Sequence, residues 1–463
     1  MKNLLLFLII NFSFFKLSIP YLVLPFKTRE TQIKGSDENI TLFLRSLIDN
    51  HIFVNIEIGE PKQVIELFLR TNSYTFFLSE KPKNDSEINP PNPMIYDVRS
   101  KIDNFFDQEN SSTLEITNKS IYSSPGNIHL GNISYDYISL INNKNENIKV
   151  KIPFILYHST TGNMPGVIGL KAIRYESNKE YNFFERLKLN DAIESYYWMI
   201  NYTSDNEGNL IIGEPPHIFD PENYKENELY IFHPFVHESI DNWGIKFDKI
   251  NFNEKKINSN FPFFFNYEYN YIQGIDDLEK LLDRYFNDSI LNGTCHKERI
   301  NYPYAPRKFF YCDKDKYKNN IKYFPDLKLF NSELNYTFLL DYKDLFIEKN
   351  DKIVLMIFFD DYPYEWYLGK PFLRKYSFLM NQDSNIVGFY KRDETKNKNN
   401  NGNDNIKNNE DYFLLKIILI VIGIIILLSL GIFIGKYFYK DKNKKKNIID
   451  EDFEYTSKND EIN

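Results

Sequence analysis

Short apolar runs, each cut off by Asn, Gly, Pro or Asp, fill the chain from about residue 50 to residue 392. Examples are HIFVNIEI (51–58), QVIELFLR (63–70), KVKIPFILY (149–157), NLIIG (209–213) and KIVLMIFF (352–359). Runs of this length, rich in β-branched and aromatic residues, read as strands. Helical spacing is confined to FFERLKLNDAI (183–193) and DDLEKLLDRYF (276–286), where apolar residues recur every three or four positions. Many short strands with few helices predict an all-β body of sandwich or barrel type. The chain holds 40 Phe and 34 Tyr, but Asn, Lys and Ile rise with them, as AT-rich coding produces. The aromatic excess therefore carries little functional weight.

Both ends have a different character. Met1-Lys2-Asn3 precedes the apolar stretch Leu4–Phe15, the order of a signal peptide. Residues 1–20 are expected to be that signal, with a retained signal anchor as the alternative. Ile417–Gly435 carries no charge, and the whole stretch 412–435 meets the length of about 20 residues that a bilayer requires. Six lysines follow between Lys436 and Lys446, which places the tail 436–463 in the cytoplasm by the positive-inside rule. Residues 393–411 are polar and low in complexity and read as a stalk. The expectation is a type I membrane protein of the secretory pathway or cell surface, with its body lumenal or extracellular.

Acids outnumber bases by 64 to 56, for a net charge of −8. A nucleic-acid-binding surface would show a basic stripe or patch, so no nucleic-acid partner is expected. Cys295 and Cys312 are the two cysteines, and in a chain on the secretory route they predict an intramolecular disulfide. Two cysteines do not make the usual structural zinc site, and the seven histidines are scattered singly, so neither a metal nor a cofactor is expected. Glycosylation sequons stand at Asn39, Asn84, Asn110, Asn118, Asn132, Asn201, Asn287, Asn292 and Asn335, although so Asn-rich a chain produces many by chance.

Several segments occur in an order that goes further. Tyr367–Tyr390 reads YLGKPFLRKYSFLMNQDSNIVGFY. It resembles the closing signature of the pepsin-like aspartic proteases at Leu368, Gly369, Phe372, Leu373, Arg374, Tyr376, Val387, Gly388 and Phe389. FVNIEIGEPKQVIELFL (53–69) is similar to the hairpin before that family's first catalytic loop. PGVIGL (165–170) resembles its Asp-Gly-Ile-apolar-Gly-Leu motif, with Pro165 in place of the acid. FFERLKLNDAIESYYWMI (183–200) and GNLIIG (208–213) resemble the close of the first lobe, and WGIKFDKI (243–250) the opening of the second. The resemblance covers about residues 50–390 and extends to the plasmepsin-like branch. It implies a bilobal β fold with lobes at 51–220 and 221–392, preceded at 21–50 by a prosegment-like strand.

The same resemblance implies no ordinary catalysis. The family carries an Asp-Thr/Ser-Gly triplet in each lobe, and one carboxylate of the pair stays ionised as general base. Here Arg70-Thr71-Asn72-Ser73 stands at the first triplet and Asn266-Tyr267-Glu268 at the second. Arginine stays protonated and an amide is no base, so no catalytic residue is assigned. Glu66 and Glu268 are the acids that could substitute, and strand alternation favours Glu268. An acid beside Arg70 is expected to form an ion pair rather than an acid–base dyad.

A cleft remains implied, with Arg70, Thr71, Ser73, Asn266 and Glu268 on its floor. In this family such a cleft takes an extended peptide by strand-like pairing. The leading expectation is a pseudo-protease that binds a protein or peptide partner. The alternatives are an active endopeptidase with a displaced or atypical dyad, and a structural or adhesive surface protein.

Overall fold

The computed structural model describes residues 21–30, 39–48, 50–81, 105–123, 129–142, 145–157, 166–173, 179–234, 243–257, 262–302, 305–361 and 365–391. The expected signal peptide, stalk, span and tail, together with Asn84 and Pro165, lie outside them. Among the described residues no helix is long and apolar enough to cross a membrane.

The apolar runs become strands. HIFVNIEI and QVIELFLR form Asn50–Ile58 and Gln63–Arg70, an antiparallel hairpin with Phe53 opposite Phe68 and Ile58 opposite Gln63. KIVLMIFF is the exception, because it divides at Met356 into strands Lys352–Leu355 and Ile357–Asp360. The Met356 N–H turns to the Leu345 carbonyl at 2.7 Å, so the first piece pairs with Phe346–Lys349 and the second with Ile272–Gly274.

Three sheets, of thirteen, nine and four strands, hold the described strands. The largest draws on both halves of the chain. Leu22–Glu30 lies between Glu207–Ile212 and Asn50–Ile58 and buries Leu22, Leu24 and Phe26. Tyr197–Tyr202 then passes the sheet on to Phe378–Asn381, Ile386–Tyr390 and Leu229–Phe232. The segments that resemble the family's closing signature are thus sheet partners of the first half.

The architecture is mostly β rather than all-β, since the nine-stranded sheet carries the 16-residue helix Asp276–Leu291. Acids fill its first turn, where the helix dipole favours them. Leu278, Leu282 and Phe286 recur at four-residue spacing and are buried, with Phe286 stacked on Phe310 at 5.3 Å. The other expected helix is shorter than its pattern. It runs from Phe183 to Leu189 behind an Asn182 cap and stops where Asp191 takes a φ of 55°.

Alternation along Ala305–Asp313 sends Phe310 to the side of the long helix and Phe309 to the other. That second face is covered by helix Ile40–Ser46, which buries Phe43 and Leu44, with Leu47 and Ile48 beyond its end, among Tyr271, Phe309, Val354 and Phe358. Full burial of each such side chain contributes roughly 1.5–3 kcal/mol. Cys295 and Cys312 face each other in the hairpin of Cys295–Tyr302 and Ala305–Asp313 and form the expected disulfide.

Candidate functional site

Two loops of like construction meet where the resemblance places the cleft floor. In the first, Gln63–Arg70 runs parallel to Gly166–Gly169, with Phe68, Leu69 and Arg70 opposite Val167, Ile168 and Gly169. Phe77–Ser79 then returns antiparallel to that same strand. In the second, Phe263–Phe265 runs parallel to Trp366–Leu368, and Ile272–Gly274 returns antiparallel to it. Arg70 lies opposite Gly169, and Asn266 follows the Phe265–Leu368 pair, its N–H donating to the Leu368 carbonyl at 3.0 Å. Each loop therefore offers one matching position, and Arg70 and Asn266 occupy them.

Both loops press on a glycine. A Cβ on Gly169 would lie 2.4 Å from the Ser73 carbonyl oxygen, and one on Gly369 would lie 2.1 Å from that of Tyr271. No larger residue fits without moving backbone. Other parts of the chain brace the pair of loops. The Trp243 indole N–H donates to the Leu170 carbonyl at 2.9 Å, and the Gln382 amide exchanges two hydrogen bonds with the Ile173 backbone.

Glu268 ties the loops together. Its Oε1 accepts the Thr71 N–H at 3.0 Å and the Thr71 hydroxyl at 3.3 Å. The Thr71 hydroxyl also lies 3.3 Å from Asn266 Oδ1, and that oxygen accepts the Glu268 N–H at 2.9 Å. Arg70 Nε stands 3.6 Å from Glu268 Oε2, with the two side chains 27% and 21% exposed. This is a loose, part-exposed pair, and the planar guanidinium keeps donors for a second acceptor. Ser73 turns inward instead, its hydroxyl accepting the Thr75 N–H within its own loop at 3.2 Å.

The second acid considered from sequence is elsewhere. Glu66 is held by two hydrogen bonds from Arg29, at 2.8 and 2.6 Å, reaching across the intervening strand Asn50–Ile58. Tyr267 is buried near Trp198 at 6.2 Å, and burial pushes its phenol well above its ordinary pKa. One carboxylate, one guanidinium, one amide and one hydroxyl thus meet at the loops. The set can accept and donate hydrogen bonds and hold an anion, but Glu268 has no second carboxylate at the matching position with which to share a proton. Among the described residues no group of three His, Cys, Asp or Glu could hold a metal ion.

Asn50 was not legible as part of this site. Its N–H donates to the Glu268 carbonyl at 2.7 Å, and its amide donates to the Tyr267 carbonyl at 2.8 Å. Nothing in so Asn-rich a sequence marks one asparagine as a bridge between distant segments. Of the sequons, Asn39, Asn110, Asn118, Asn287, Asn292 and Asn335 are exposed, while Asn132 and Asn201 are half-buried in strands.

No curated protein matches the chain in sequence. The family model described as eukaryotic aspartyl protease matches residues 51–392, a stretch that holds both loops and most of the strands that position them. The chain belongs to the eukaryotic aspartyl protease family.

Proposed function

We propose that this chain is a non-catalytic member of its family whose interlobe cleft holds a protein or peptide partner, with Arg70 receiving a carboxylate of that partner. The observation that carries the reading is the Arg70–Glu268 pair. A guanidinium replaces a catalytic acid, stands 3.6 Å from the nearest carboxylate and remains open to solvent. A partner carboxylate can then bind Arg70 in the bidentate geometry that arginine favours. The proposal includes a signal peptide, a type I membrane anchor, glycans on exposed sequons and a first strand, Leu22–Glu30, that stays attached. Its sheet pairing on both sides and its buried Leu22, Leu24 and Phe26 support retention.

The test incubates the full chain with denatured protein and a mixed peptide library from about pH 2 to 7, which covers the range in which a carboxylate pair shares one proton. A transition-state-mimicking aspartic protease inhibitor serves as control. No cleavage, with retention of acidic peptides that Arg70→Ala abolishes, is the expected result. Inhibitor-sensitive cleavage would return the protein to the active enzymes. Partner binding that survives Arg70→Glu would favour an adhesive surface outside the cleft.

A further inference from the structure

The strand that carries Asn50 to the loops also carries His51 to the edge of the site. The Asn50 N–H donates to the Glu268 carbonyl at 2.7 Å, so His51 stands one residue from a direct contact with the second loop. Alternation sends His51 and Phe53 to one side of Asn50–Ile58, and Glu66, Phe68 and Arg70 to one side of Gln63–Arg70. Phe53 is opposite Phe68, with the rings 4.3 Å apart, so the two sets share a face. The residues between them, Ile52, Val54, Leu67 and Leu69, enter the core from the other side. His51 is half-buried, and its ring meets that of Phe68 edge-on at 5.8 Å.

Charged groups reach this face from each neighbouring element. On Leu22–Glu30, Arg29 is opposite His51 and Lys27 opposite Phe53. Arg29 passes 4.7 Å over the Phe53 ring to its two hydrogen bonds with Glu66, and Lys27 lies 3.7 Å from Glu207. On the other flank Arg70 has the loose pair with Glu268, whose second oxygen is held by Thr71. The two acids nearest His51, Glu66 and Glu268, are thus each bound to another group. Arginine carries its charge at every working pH, whereas an ordinary histidine titrates near pH 6.5. The face therefore has one cation that is constant, Arg70, and one side chain that can become a second.

We infer that the cleft takes an extended peptide with two acidic residues, one carboxylate meeting Arg70 and the other His51, and that binding tightens as pH falls and His51 gains a proton. Residues two apart in an extended strand point the same way, so an acid-x-acid spacing presents both carboxylates to this face. A carboxylate against the imidazole favours its protonated form, and the proton taken up strengthens the contact in turn. Peptide carboxylates stay ionised down to about pH 5, so between about pH 7.5 and 5.5 the change falls on histidine. This partner class rests on the binding role proposed for the cleft.

The test titrates the full chain, in zwitterionic-lipid nanodiscs with empty nanodiscs as control, by calorimetry at about pH 7.5 and 5.5. The probes are blocked peptides of sequence Ala-Asp-Ala-Asp-Ala and the two forms in which one Asp is replaced by Asn. The two-acid peptide should bind about fivefold or more tighter at the lower pH, within the limit of tenfold per pH unit for one proton. Titrations near pH 6.5 in two buffers of different ionisation enthalpy should show net proton uptake by the wild-type protein. At least one single-acid peptide should lose the pH response, His51→Gln should flatten it, and Arg70→Ala should abolish binding. Binding that needs Arg70 but shows no pH response and no proton uptake would overturn the inference and leave the binding role standing. A pH response that persists in His51→Gln would do the same. No saturation by any of the three peptides below about 10 mM would overturn both.

Discussion

At the scale of single residues, the site rests on Glu268. Thr71 is 6% exposed, and its N–H and hydroxyl both meet the Glu268 carboxylate. Glu268→Ala should therefore strand a buried donor and lower stability by about 1–3 kcal/mol in a denaturant titration. Glu268→Gln, which keeps an acceptor, should lose less. On the proposed non-catalytic reading, acids placed at positions 70 and 266 alone should not produce turnover. In an Arg70→Asp/Asn266→Asp double variant, Glu268 adds a third carboxylate beside the two new ones, and Asn72 and Glu268 still stand where the resemblance expects the triplet glycines. Like charges so close disturb the sharing of one proton between two acids. Peptide cleavage by that variant should stay at background, and measurable turnover would show that the loops retain a catalytic geometry. In the sequence the hairpin 53–69 singles out Arg70 and Thr71, and Tyr271–Gly274 singles out Asn266 and Glu268 with less firm a register; the structure brings these four side chains together. The Glu66 alternative was settled only by the Arg29 pairing across the sheet, which sequence spacing does not encode.

At the scale of elements, the helix Ile40–Ser46 and the disulfide hairpin are the parts most open to test. Leu44 is fully buried against the second-lobe sheet, so Leu44→Ala should cost about 2–5 kcal/mol, read as a lower thermal midpoint. Replacing Cys295 and Cys312 by serine releases a crosslink spanning 17 residues, which should cost about 3 kcal/mol in the same measurement. The hairpin Asn50–Ile58/Gln63–Arg70 could be read from sequence because strand alternation and a Gly-x-Pro turn agree there. Helix Ile40–Ser46 could not, because its seven residues hold too few turns to show a period. Its apolar face acquires meaning only from the sheet that it covers. The break at Met356 was equally hidden, since Lys352–Asp360 is apolar almost throughout and nothing in it marks the residue whose N–H turns to Leu345 and whose carbonyl turns to Ile272.

At the scale of the whole molecule, His217 couples the shared sheet to pH. Its ring nitrogen lies 2.8 Å from the Tyr390 hydroxyl on the last strand, and burial lowers its pKa, with Glu226 opposing. The unfolded chain therefore takes up a proton before the folded one as pH falls below the ordinary histidine value of about 6.5. The unfolded state then binds more protons, so stability falls with pH in that window. The thermal midpoint should drop as pH falls below about 6.5, and His217→Gln should flatten that drop. The sequence by itself determined the β-rich class, the disulfide and the family, because short alternating runs, two cysteines and one ordered set of motifs leave few other solutions. Tertiary structure alone decided that both halves share one sheet and that Asn50 and Thr71 join the loops to Glu268. It also decided that His51 lies across from Arg29. Those contacts join residues tens to hundreds of positions apart, and local pattern carries no information about which distant partner a buried polar group will find.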